Sequence, residues 1–264
     1  MPIITISRGS YYHGRSVAEK LAHKLGYRCL SRNQVIEDLE EFHLPEIKLV
    51  RGLHDTFSIL DRFPHGKARF KTAMRSALLQ HFLAGNIVYH GRVGHYFVRD
   101  LSHVLKVRII SDLKSRIASD MAWENMSLDE ARHILMKDDD ERRKWGMFLY
   151  GIDIMDPVNY NMVLRIGHIS EDEAVDLIAR AASLPAFQET AESKKALADS
   201  ALAALVDKTL FDFPHAAVSA HGGQVAISLK APEDQQPIIY DRIGEMIGQL
   251  PGVESYVVNF EPYF

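Results

Sequence analysis

The chain has 264 residues, 47% of them hydrophobic and 25% charged, with a formal net charge of −4. That length admits one large domain or a main domain with a smaller one, at the composition of an ordinary soluble globular protein. The acidic balance gives no basic footprint for nucleic acid, and the single cysteine, Cys29, excludes an internal disulfide. No apolar run approaches a membrane span and no charged leader precedes one, so the expected compartment is the cytoplasm and no membrane partner is expected.

Ile3-Ile4-Thr5-Ile6 is a β-branched apolar run, the composition of a buried parallel strand. A turn containing Gly9 and Gly14 follows. Val17, Leu21 and Leu25 then recur at helical spacing, and Gly26 stands where that helix stops. The spacing Gly9-x-x-x-x-Gly14-Arg15-Ser16 is that of a phosphate loop, with arginine where lysine is usual. The residue types suit the chemistry. Glycines let backbone amides of Gly9, Ser10, His13 and Gly14 close on phosphate oxygens, and the helix N-terminus adds positive character. A cation at Arg15 reaches the outer phosphates, and a hydroxyl at Ser16 ligates Mg²⁺. The other reading of the same residues is an ordinary βα turn, because Tyr11, Tyr12 and His13 are bulky where such loops are small.

Tyr27–Ser31 reads as a second strand with Arg32 at its end, where ligands of open α/β sheets gather. A solvated surface charge is the other reading of Arg32. A helix with Val35, Ile36 and Leu39 on one face follows. Leu49, Leu53, Phe57 and Leu60 suggest another after Pro45, ended by Pro64-His65-Gly66. Lys67–Ala84 is a helix with Phe70, Ala73, Ala77, Leu78 and Phe82 as its buried stripe. Ile87–His90 is a strand running into Gly91-Arg92, which sets either a phosphate fork at the mouth of the sheet or a surface arginine beside a turn.

Val104–Ile110 is a strand, and Asp112–Ala122 a helix with Leu113, Ile117 and Met121 on one face. Ser127 and Glu130 form a capping box for the next helix. Asp138-Asp139-Asp140-Glu141-Arg142-Arg143-Lys144 is either a solvated helix face or a mobile lid whose three cations swing over transferring phosphates. Tyr160–Ile166 is the last apolar strand of this part. Ser170 and Glu173 cap a helix with Val175, Leu177 and Ile178 inward. The alternation of strand and helix predicts an α/β fold, a parallel sheet flanked by helices, over residues 1–184. Residues 185–195 read as a linker. Residues 196–264 follow the order αββαβ, a small α+β domain with a hairpin at Gly222-Gly223.

Several segments together resemble the cytidylate-kinase-like P-loop proteins, relatives of nucleoside monophosphate kinases. They are Ile4-Thr5-Ile6-Ser7-Arg8 with Gly14-Arg15, Lys24-Leu25-Gly26, Gly91-Arg92, Val107-Arg108-Ile109, Asp139-Asp140-Glu141-Arg142, Asp156-Pro157 and Ile169-Ser170. Arginine at position 15 is itself a mark of that family. The resemblance implies ATP-dependent phosphoryl transfer to a nucleotide acceptor, CMP or dCMP. Arg15 and the loop amides would hold ATP and Ser16 its Mg²⁺; Arg32 and Arg92 would fork the acceptor phosphate; Arg142, Arg143 and Lys144 would close over the transferred group. The alternative is a non-catalytic nucleotide-responsive or interaction protein on the same scaffold. Residues 196–264 resemble a BON domain in element order and in Gly222-Gly223-Gln224-Val225 and Leu250-Pro251-Gly252-Val253. That implies an attachment through which a protein partner or a second copy binds.

Overall fold

The computed structural model describes residues 2–39, 60, 62–91, 94–213 and 215–261. Nearly all of the helix expected after Pro45 lies outside them. β1 (Ile3–Arg8) is followed by α1 (Tyr11–Leu25), β2 (Arg28–Ser31), α2 (Arg32–Leu39), α3 (Gly66–Leu83) and β3 (Ile87–Gly91). Then come β4 (Val104–Ser111), α4 (Leu113–Glu124), α5 (Leu128–Tyr150), β5 (Met162–Ile166) and α6 (Glu171–Ala182). These five strands form one parallel sheet in the order β2-β3-β1-β4-β5, the α/β architecture expected. The carboxyl ends of β1, β2 and β3 meet along one edge, with Ile6 opposite His90 and Ser31 opposite His90 in the two registers. Crevices beyond strand carboxyl ends are where open parallel sheets bind ligands.

β1 is apolar because both its faces are covered. One core, including Ile3, Leu30, Phe70, Leu78, Phe82, Ile87 and Trp145, lies under α2 and α3. The other, including Ile4, Ile6, Val17, Leu21, Val107 and Ile178, lies under α1 and α6. The capping boxes at Ser127–Glu130 and Ser170–Glu173 are both formed, so α5 and α6 start where the sequence places them. The apolar face read on α4 is not the one it buries: Leu113 and Met121 are exposed and Arg116 is buried. The reason is electrostatic, since Arg116 donates both Nη atoms to Asp139 of α5 at 2.7 and 2.9 Å. Leu177 of α6 is likewise exposed rather than inward.

The C-terminal part consists of α7 (Ala191–Thr209), β6 (Ala217–His221), β7 (Gln224–Lys230), α8 (Gln236–Ile247) and β8 (Ser255–Glu261). The order αββαβ is as read, with a three-stranded sheet β6-β7-β8. Gly222 and Gly223, at φ 55° and 81°, make the two-residue hairpin turn that joins β6 to β7. The linker is shorter than expected. Thr190 and Ser193 form a capping box that starts α7 inside it. Helix α7 belongs to both parts: Leu197, Ala201 and Ala204 join the core under α3, whereas Leu202, Val206 and Leu210 join the core of the small sheet.

Two buried histidines set an acid limit on this fold. Burial, assisted by neighbouring cations, lowers the pKa of His90 from 6.5 to about 3 and that of His95 from 6.5 to about 4. The unfolded chain therefore binds more protons in the intervening range. Stability is fully present above about pH 6.5 and falls as pH drops, by up to about 1.4 kcal/mol per unit for each histidine. Urea midpoints between pH 7 and 4.5 are expected to follow this slope, and His95→Gln is expected to flatten it. An equal slope in that variant would remove His95 from the account.

Candidate functional site

The turn between β1 and α1 is shorter than a phosphate loop of that spacing predicts. Helix α1 begins at Tyr11, so Tyr11, Tyr12, His13 and Gly14 are already helical. The Gly14 amide donates to the Ser10 carbonyl at 3.1 Å, and the amides of Gly9 and Ser10 both donate to the Ile109 carbonyl, at 2.8 and 3.2 Å. Three amides expected at a phosphate are thus occupied within the chain. The amides of the first turn, Tyr11 to His13, are those a helix leaves without intrahelical acceptors, and the Ser10 side chain caps none of them. Gly14 is required by packing, since a Cβ there would lie 2.6 Å from Cγ of Arg8.

Early winding of α1 also sorts its side chains. Tyr11, Arg15 and Glu19, four apart, share one face. His13, Ser16 and Lys20 point the other way, to the start of α6. There the Ser16 hydroxyl donates to Glu171 Oε2 at 2.5 Å, His13 Nδ1 lies 2.8 Å from Glu171 Oε1, and Lys20 Nζ lies 3.2 Å from Oε2. Burial opposes ionisation of Glu171, but the bonds from Ser16, His13 and Lys20 outweigh it and hold the carboxyl below its ordinary range. The structure therefore does not bring Ser16 and His13 together with Arg15. The expected Mg²⁺ ligand faces the clasp on Glu171 instead of the clefts described next.

Two clefts open at the carboxyl edge of the sheet. The first, of about 320 Å³, lies over the ends of β1, β2 and β3 and is lined by Arg8, Tyr11, Arg15, Ser31, Gln34 and His90, with Glu19, Cys29 and Asn33. The second, of about 340 Å³, lies between the sheet edge and the α4–α5 pair. Arg8, Tyr11, Arg32 and Asn33 form one wall, and Asp120, Glu124, Ile134, Leu135, Asp138 and Arg142 form the other. Arg8, Tyr11 and Asn33 belong to both, so the clefts adjoin at the end of β1. The Arg8 guanidinium lies over the Tyr11 ring at 4.6 Å, which holds it at that junction.

Arg32, expected at the acceptor phosphate, and Arg142, expected over the transferred group, thus reach one cleft from opposite sides. Arg142 is 8% exposed and lies 3.4 Å from Asp139 and 3.5 Å from Asp138. Arg143 and Lys144 are not in the cleft. They sit on the outer face of α5, 63% and 59% exposed, and both pair with Asp140. The run 138–144 is part of one continuous helix, and a 100° step per residue cannot aim three consecutive side chains at one phosphate. The lid reading therefore reduces to Arg142. Arg92 lies outside the described residues. Arg15 is 54% exposed and pairs with Glu19 at 2.7 Å.

Sequence reasoning places Arg8 only within the family-like segment Ile4–Arg8 and misses His90, Asn33 and the acidic wall of the second cleft. The register of β1 against β3 was the available signal, because it sets Ile6 beside His90 and Ser7 beside Gly91. In the acidic wall burial raises the Asp120 carboxyl above its ordinary range. Among the described residues no group of three or more His, Cys, Asp or Glu is placed to hold a metal ion.

Over 169 residues the chain is 23% identical to a cytidylate kinase from Sulfolobus acidocaldarius, an alignment covering 62% of this chain and 84% of that protein. It is similar to the crystal structure of an uncharacterized protein from Eubacterium ventriosum ATCC 27560. The TM-score is 0.52 at 19% identity, covering 69% of this chain and 98% of that one, a likeness of fold. Residues 3–168, which hold β1 to β5 and both clefts, match the cytidylate kinase-like family, and the chain belongs to it.

Proposed function

We propose that this protein transfers a phosphoryl group from ATP to a nucleoside monophosphate, with CMP or dCMP as the acceptor. The acceptor rests on family resemblance and on the name of the Sulfolobus relative. The observation that carries the reaction type is the junction of two arginine-bearing clefts at Arg8. Phosphoryl transfer asks for positioning and charge neutralisation more than for covalent chemistry, and two anions meeting at a shared cation have that arrangement.

The donor polyphosphate lies in the first cleft against Arg15 and Arg8, with the open first-turn amides of α1 beside it. The acceptor phosphate lies in the second cleft between Arg32 and Arg142, with Arg92 as a further fork. Arg8 faces the group in transit. Mg²⁺ would come with ATP and would supply charge neutralisation at the phosphoryl groups. Such ions are held mainly by phosphates and water, and Ser16 is not placed to ligate one at the first cleft. The αββαβ order of residues 191–261 supports a BON-like module, which on this reading binds a protein partner or a second copy.

The test is a coupled ADP-release assay with ATP, Mg²⁺ and each nucleoside monophosphate in turn. Turnover is expected with a cytidine nucleotide. Arg15→Ala is expected to lower it at least about a hundredfold with the melting temperature unchanged, since exposed i,i+4 pairs contribute little to stability. ATP turnover with none of the monophosphates overturns the acceptor. Full turnover in Arg15→Ala overturns the placement of the donor.

A further inference from the structure

We propose that His90 binds substrate, its imidazole Nδ1 hydrogen-bonding a phosphoryl oxygen of the donor nucleotide in the first cleft. The inference rests on the placement of ATP given above and deepens it by adding an uncharged group to a site otherwise recognised by its arginines. His90 is 4% exposed. It stands at the carboxyl end of β3, between Ile6 of β1 and Ser31 of β2, and lines the floor of the cleft. Its Nδ1 is fully buried and has no hydrogen-bond partner among the described residues. Buried polar atoms in native proteins are paired as a rule, and one left unpaired costs about 1–3 kcal/mol. A ligand in the cleft that His90 lines would supply that partner.

The surroundings say what kind of partner. Arg8 and Arg15 make this cleft attractive to an anion, and Glu19 is paired with Arg15 at its rim. Ser31 and Gln34 bond each other's backbone: the Gln34 side-chain oxygen accepts from the Ser31 amide, and the Ser31 hydroxyl oxygen accepts from the Gln34 amide. That leaves the Gln34 amide nitrogen and the Ser31 hydroxyl proton as donors. With Arg8 and Arg15 these donors complement phosphoryl oxygens, and Glu19 is the one carboxylate on the wall. A third cation between two guanidiniums would be repelled. A neutral imidazole adds a donor at no such cost, and burial with Arg8 and Arg15 nearby keeps the ring neutral. The neighbouring Cys29 thiol, raised to about 11 by burial, stays protonated and adds no competing anion. His95 and His103, also deeply buried with an unpaired ring nitrogen, line neither cleft, and the His95 ring packs on Tyr160 at 4.8 Å.

The test compares wild type with His90→Leu, His90→Asn and His90→Gln. The asparagine amide nitrogen falls near the place of Nδ1, and glutamine carries its amide one bond further. Calorimetric titration with inorganic tripolyphosphate and with ATP is read beside steady-state KM for ATP and for the acceptor. Expected is a roughly ten- to hundredfold loss of affinity for both anions in His90→Leu, with recovery in His90→Asn but not His90→Gln. KM for ATP should rise with little change in kcat, and KM for the acceptor should not move. Should His90→Leu not fold, the contrast between asparagine and glutamine decides. Equal affinity in all four proteins overturns the inference, as does equal loss in asparagine and glutamine, which marks a purely structural histidine. Absence of turnover with every monophosphate would defeat the kinase reading. The tripolyphosphate titration would still decide whether His90 holds an anion, and a wild type that binds no tripolyphosphate overturns the inference.

Discussion

Arg8→Ala is expected to lower kcat/KM by about a thousandfold, the loss seen when a cation or donor aimed at a transferring group is removed. Arg8 is the one arginine on the walls of both clefts, so its removal is felt at the donor and the acceptor together. A loss divided between the KM values for ATP and acceptor would show binding alone; a loss concentrated in kcat would place Arg8 at the reacting group. The arginine stem packs on Gly14, so the alanine variant also leaves a gap there. Arg8→Lys controls for this. It keeps the stem and the charge, loses the two-pronged fork, and should recover only a small part of the activity at wild-type stability. Wild-type kinetics in Arg8→Ala would mean that the two clefts do not share a phosphoryl group.

Leu197→Ala is expected to destabilise the nucleotide-binding part by about 2–4 kcal/mol, although residue 197 lies beyond the five-stranded sheet. Leu197 on α7 is buried in the same core as Phe70, Leu78, Phe82 and Trp145. Asp207 of α7 meets Thr72 of α3 at 3.3 Å, and burial raises its carboxyl above the ordinary range. Urea unfolding followed by tryptophan fluorescence reads this core through Trp145. The same midpoint shift is expected by far-ultraviolet circular dichroism, because a helix shared by two cores joins them into one cooperative transition. Two separate transitions, with only the second shifted, would show the C-terminal part folding on its own.

The β-branched run of β1, the capping boxes and the glycine hairpin are local signals, and the structure forms each where the sequence puts it. What was not legible depends on distance. No helical period says that Arg116 is buried, because its carboxylate is on another helix, at Asp139. The motif at Gly9–Ser16 fixes residue types but not where α1 begins, and winding that starts at Tyr11 turns Ser16 toward Glu171. Charge order at 138–144 is compatible with a lid or a helix, and the period of 3.6 separates Arg142 from Arg143 and Lys144 only once the helix is known to run through. His90 gave no signal by itself; it became a site residue when parallel pairing set it between two other strand ends.

The clefts' arginines are met already engaged. Arg15 holds Glu19 and Arg142 holds Asp138, in each case one helical turn away. An incoming phosphate therefore exchanges one counter-anion for another, and the net gain is the difference between two similar contacts. Such an exchange would favour modest affinity and rapid departure of product, which suits a phosphoryl-transfer catalyst. It would also temper the pull of Arg15 and Arg142 on anions, because each of these two guanidiniums can fall back on its own carboxylate.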